Sequence, residues 1–212
     1  MVSVFIPGPA GRLEASLWLP KDGSAPRAGA VVCHPHPLHG GTMHNNVVFR
    51  TARGLQTAGL AVLRFNFRGA GKSEGAHHGA GGEVEDAAAA LDELERRFPE
   101  LELWAAGFSF GARTAAALAL RDERVARLLA VALPCRAYDC SFVREVRQSG
   151  LILLGERDDF GTLRDLRERV GDLPTNLEVD EIPLADHFFR RATPELERRV
   201  RRWAERALGV ER

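Results

Sequence analysis

From residue 28 onward, short apolar runs alternate with amphipathic helical patterns, and this alternation limits the possible folds more than any other feature. The runs are "AGAVVCH" (28–34), "LAVLRFNF" (60–67), "LELWAAGF" (101–108), "VARLLAVAL" (125–133), "GLILLGE" (150–156) and "NLEVDEIP" (176–183). Near-continuous apolar character is what a strand buried on both faces shows. Between the runs lie helical patterns at 44–58, 82–98, 110–121 and 163–171, with a shorter one near 141–147. In 82–98 the residues Val84, Ala87, Leu91, Leu94 and Phe98 recur on one face. Thr162 and Asp165 have the spacing of a capping box for the 163–171 helix. A final helix opens with Thr193-Pro194 as N-cap and first turn, is closed by Gly209, and carries Leu196, Val200, Trp203 and Ala207 inward. Before all this, "VSVFI" (2–6) and "LEASLWLP" (13–20) flank a Pro/Gly turn and form a hairpin. The pattern predicts an α/β chain, with eight strands in a mostly parallel sheet and helices on both faces. No repeat or linker interrupts it, so residues 1–212 are expected to form a single domain.

The composition removes several classes of function. Twenty-nine basic and 29 acidic residues cancel, leaving no global field to attract nucleic acid or an anionic membrane. No apolar stretch approaches the roughly 18 residues of a membrane span. The start, "MVSVFIPGPAGRLEA", lacks the basic and long apolar segments of a signal peptide. Three cysteines (Cys33, Cys135, Cys140) read as reduced, buried thiols, and the expected location is cytoplasmic.

In sheets of this kind, function gathers in loops at the carboxyl ends of the strands. One such loop reads Gly107-Phe108-Ser109-Phe110-Gly111. A sharp strand-to-helix turn brings neighbouring backbone close to the residues two before and two after the serine, so both must be small. That turn exposes the Ser109 hydroxyl and sets the Phe110 amide at a helix N-terminus, where it can stabilise an oxyanion. A serine hydroxyl needs a base, and the base an orienting carboxylate, in the chain order serine, acid, histidine. Only His187, in "PLADHFF", follows Ser109, and Asp158 and Asp159 stand in the preceding loop, "LILLGERDDF".

These residues resemble the α/β-hydrolase family over nearly the whole chain, the hairpin making the second strand the antiparallel one. "HPHPLHGGTMHN" (34–45) is similar to a loop of small, lidless members related to dienelactone hydrolases and bacterial carboxylesterases. "RFNFRGAGKSEG" (64–75) resembles the family's Arg-Gly-x-Gly-x-Ser turn. The resemblance implies acyl-ester hydrolysis through an acyl-enzyme, with a small-molecule ester as partner and no metal or organic cofactor. Dienelactone hydrolases proper carry a cysteine at the elbow, and Ser109 turns the expectation toward an ordinary serine carboxylesterase. Thioesters and amides suit the same machinery, and a non-catalytic regulatory member is the alternative class. In similar hydrolases the acid comes three residues after a strand-ending glycine, which selects Asp158 after Gly155. Pro35 and Pro37 have no amide hydrogen, so His36, Leu38 and His39 are the candidates for a second oxyanion donor. Comparison with the family favours Leu38. Only residues 134–150 separate the sixth and seventh strands, too few for a cap domain. Tyr138 and Phe142 are the large rings this segment offers a substrate, and a shallow site suited to short acyl chains is expected.

Other readings of the same residues are weaker. The histidines at 34, 36, 39 and 44 invite a metal, but no acidic residue stands in their segment, so no metal is expected. "RGAGKSEG" falls short of a phosphate loop because Asn66 occupies the position of its first glycine. The arginines of the last helix (198, 199, 201, 202, 206) read as a solvated face paired with Glu195, Glu197 and Glu205.

Overall fold

A computed structural model describes residues 2–79 and 81–210. Strands β1 (Val2–Ile6) and β2 (Leu13–Trp18) pair antiparallel, and β2 pairs antiparallel with β4 (Ala61–Phe65). From there β3 (Gly29–Cys33), β5 (Leu103–Phe108), β6 (Val125–Val131), β7 (Ser149–Gly155) and β8 (Leu177–Ile182) continue in parallel. The eight strands lie in the order β1-β2-β4-β3-β5-β6-β7-β8, the α/β-hydrolase sheet. Helices α1 (Asn46–Thr57) and α5 (Thr193–Ala207) cover one face, while α2 (Gly82–Arg97), α3 (Phe110–Arg121) and α4 (Leu163–Val170) cover the other.

The apolar runs follow from this layering. In β3, Val31 and Cys33 pack into the core under α2 and α3, while Ala30 and Val32 pack under α1 and α5. Successive residues of a strand point to opposite faces, so a strand covered on both sides is almost wholly apolar, with Arg64 the buried exception in β4. The chain leaves β3 for β4 on one side, then returns through α2 to β5 on the other. The loops after β3 and β5 therefore diverge and open a crevice at the switch point. The site is built there.

Most boundaries fall within two residues of those read from the sequence, and three places show why they shift. The capping box of Thr162 and Asp165 is formed. The last helix, however, is capped by Ala192 with no side-chain bond, and Thr193 and Pro194 lie inside its first turn. Just upstream, Phe189 and Arg191 adopt positive φ (50° and 64°), and this tight bend brings the chain into the helix one residue early. The second strand stops at Trp18, before Leu19-Pro20. The segment near 141–147 is a 3-10 helix, Ser141–Glu145, and it is the sole regular element between β6 and β7. Among the described residues no cap covers the crevice.

Candidate active site

Ser109 is held at φ 55°, ψ −121° between β5 and α3. The two glycines around it are required sterically. A Cβ on Gly107 would come 2.1 Å from the Gly111 carbonyl oxygen, and one on Gly111 would come 2.3 Å from the Cys33 carbonyl oxygen. The elbow is thus pressed against its own helix and against β3, and the hydroxyl points out of the turn.

Three side chains from three loops meet at that hydroxyl. Ser109 Oγ lies 2.9 Å from His187 Nε2. His187 Nδ1 lies 2.9 Å from each Asp158 carboxylate oxygen. Asp158, 1% exposed, also accepts the Phe160 amide at 2.8 Å, so its carboxylate is fixed before it meets the imidazole. Asp159 is exposed, and the helix-capping carboxylate nearby is Asp165. The acid loop and the histidine loop are zipped together by the Arg157 amide on the Ala185 carbonyl at 2.8 Å. The His187 ring packs against Phe160 and Phe108, with centroids 4.4 and 5.2 Å away. Such packing limits the ring to one orientation, and the pair of hydrogen bonds fixes its tautomer.

The Phe110 amide, at the first turn of α3, has no acceptor among the described residues. The Leu38 amide, expected as the second donor, is not free. It is taken by His36 Nδ1 at 3.2 Å, and the Leu38 side chain is 71% exposed. The reason is a 3-10 turn, Pro37–His39, which folds the loop back on itself. Within it the His39 and Gly41 amides donate to the His36 carbonyl and the Gly40 amide to that of Pro37. Between Pro35 and Gly41 only the His36 amide is left without an acceptor among the described residues.

That loop is anchored from below. His34 is fully buried, with Nδ1 donating to the Pro35 carbonyl at 2.6 Å and Nε2 accepting the Phe67 amide at 2.9 Å. Burial pushes its pKa down to about 4, so it stays neutral and structural. Asn66 Oδ1 accepts the Met43 amide at 2.7 Å, and Arg64 donates to the Met43 carbonyl at 2.6 Å. Asn66 also reaches Glu14, and the Lys72 amide shares that carboxylate, so the 66–73 turn is a brace within the fold. Among the described residues no group of three or more histidines, cysteines or acidic residues is placed to hold a metal. Cys135 and Cys140 are free and buried, and burial raises their thiols to about 11 and about 12.

The cleft above Ser109 has a volume of about 290 Å³. Tyr138 lines it, as the sequence suggests, but Phe142 does not: it packs on the core and lies under the Arg113 guanidinium. Other walls include Phe110 and, each 42% exposed, Phe160 and Phe188, and His36 and His39 also line the cleft. Sequence reasoning missed Phe160 and Phe188 because exposed aromatics on loops carry no periodic signal. Their adjacency to Asp158 and His187, in "DDF" and "DHFF", is the trace that could have found them.

Comparison with known proteins identifies the family. Residues 27–157 match the family model described as "Serine aminopeptidase, S33". An uncharacterized protein of Rickettsia prowazekii (strain Madrid E) is 37% identical over 209 residues, covering 94% of this chain and 87% of that protein. The structure of an α/β serine hydrolase homologue from Coxiella burnetii superposes with a TM-score of 0.88 at 37% identity, covering 95% of this chain and 96% of that one. A protein from Xanthomonas campestris, described as an α/β serine hydrolase without a lid, gives 0.90 at 30% identity, covering 100% and 96%. The chain belongs to the α/β-hydrolase family of serine hydrolases, within the group described as serine aminopeptidase S33.

Proposed function

We propose that this protein is a serine carboxylesterase acting on short-chain esters. One observation carries the reading: the unbroken hydrogen-bond chain from Ser109 through His187 to Asp158, at 2.9 Å for each link. In this reading His187 takes the hydroxyl proton as Ser109 attacks the ester carbonyl. Asp158 holds Nδ1–H and stabilises the imidazolium that forms. The amides of Phe110 and His36 receive the developing oxyanion, each removed donor in such sites costing on the order of 10²- to 10³-fold. His187 then protonates the leaving alcohol, and water enters by the reverse path to release the acid. Thioesters and amides are open to the same groups, the amide needing the larger stabilisation of its leaving group.

The open cleft supports the preference for small acids. Its aromatic walls are partly exposed and no cap lies over them, so a long chain stays in water, forfeiting roughly 0.8 kcal/mol per unburied methylene. A series of p-nitrophenyl esters from acetate to palmitate is the test. We expect kcat/KM to be highest at acetate or butyrate, with no activation at a lipid–water interface. An optimum at twelve or more carbons would contradict the short-chain reading.

A further inference from the structure

A second groove of about 230 Å³ adjoins the cleft, and the two share His36, Phe110 and Tyr138 as lining. Its far side is formed by His77, Glu83 and Arg113. Arg113 is the unusual member. It stands on α3 four residues after Ser109, which puts the two backbones about 6 Å apart along the helix axis. Its Nε donates to the Asp139 carbonyl at 3.0 Å, and its guanidinium lies over the Tyr138 and Phe142 rings. The fork is thereby aimed, yet Arg113 enters no ion pair among the described residues. The Asp139 carboxylate turns instead to the Ser141 amide at 2.9 Å.

The other polar groups lining the groove add donors more than negative charge. Glu83, 2% exposed, is engaged by His77 Nδ1 at 2.6 Å. His36 accepts the Leu38 amide on Nδ1, which leaves the proton of its neutral ring on Nε2. The Tyr138 hydroxyl has no hydrogen-bond partner among the described residues. A guanidinium held by stacking, a phenol and an imidazole N–H suit an oxyanion ligand, and the planar fork suits a carboxylate best.

We propose that this groove is an anion-binding subsite, with Arg113 as its chief ligand, that takes a carboxylate carried by the ester substrate a few bonds from the reacting carbonyl. The inference rests on the esterase reading and narrows its substrate class to acid-bearing esters. Two matched pairs test it: p-nitrophenyl butyrate against the p-nitrophenyl monoester of glutaric acid, and phenyl acetate against 4-acetoxybenzoate. The first places the acid on the acyl half, the second on the leaving group. In at least one pair, kcat/KM of the wild-type protein should favour the acid-bearing ester by about tenfold relative to Arg113→Gln, the worth of a charged hydrogen bond. Added salt should erode that preference, and Arg113→Lys, with charge but no fork, should keep part of it. Turnover of the neutral esters with the same acid-to-neutral ratio in wild type and Arg113→Gln overturns the subsite and leaves the esterase reading intact. If no ester is turned over, the esterase reading fails. The subsite is then judged by glutarate raising the Tm of wild type and not of Arg113→Gln. No shift in wild type overturns it.

Discussion

Asp158 and Asp159 are adjacent, chemically identical and a single bond rotation apart in an unfolded chain, yet only Asp158 is buried with both oxygens on an imidazole. Asp158→Asn leaves the shape but offers Nδ1–H a poorer partner and favours the wrong tautomer. Turnover of p-nitrophenyl butyrate should fall by about 10⁴-fold, against less than about twofold for the solvated Asp159→Asn; the reverse ranking would reassign the acid. His34 gives a second prediction at this scale. Its folded pKa of about 4 lies below the ordinary 6.5, so the unfolded chain binds the extra proton between those values. Stability from this group is therefore full above pH 6.5 and is lost as pH falls toward 4, by up to about 3 kcal/mol. Urea unfolding at pH 7 and pH 4.5 should show a smaller loss in His34→Gln than in wild type; equal losses would mean that His34 is not held neutral. The residue scale is also where the sequence said least. Ser109 and His187 are legible because a steric rule and a chain order single them out, while the choice of Asp158 over Asp159 comes only from what the family resemblance implies. Whether a backbone amide such as that of Leu38 or His36 is free depends on how a 3-10 turn closes, and nothing in "HPHPLHGG" records that closure.

At the scale of elements, the strands were readable because burial on both faces leaves nothing but apolar residues, as in β3 and β7. Register and facing then follow from the two-residue period. Helix starts were readable at α2 and α3, which begin at Gly82 and Phe110 as the sequence predicts although no side chain caps them. Thr162 and Asp165 show in the sequence, whereas the start of α5 at Ala192 is set by backbone bends upstream. The elbow is the element on which the site most depends. Gly111 faces the Cys33 carbonyl, backbone that cannot yield as a side chain would, so Gly111→Ala forces β3 and α3 apart. The cost should reach about 3 kcal/mol, read as a lower urea midpoint with esterase activity lost at least in proportion. A cost below about 1 kcal/mol would mean that the strand–helix contact is looser than these distances require.

Across the whole molecule, the triad joins segments far apart in sequence: His187 lies 78 residues from Ser109 and 29 from Asp158. Only the sheet order brings them together, because β5, β6, β7 and β8 lie side by side with every loop at the same edge. Among the described residues no cap covers that edge, which is why both the proposed short-chain preference and the neighbouring groove of Arg113 belong to the entire crevice. The central claim is that the fold has turned one serine hydroxyl into a nucleophile. A fluorophosphonate probe reacts covalently with such a hydroxyl, and peptide mapping locates the adduct. The account predicts a single stoichiometric adduct on Ser109 of the folded protein, absent after urea unfolding and absent in Ser109→Ala and His187→Ala. An adduct on any other residue, or none on the folded wild-type protein, would contradict it.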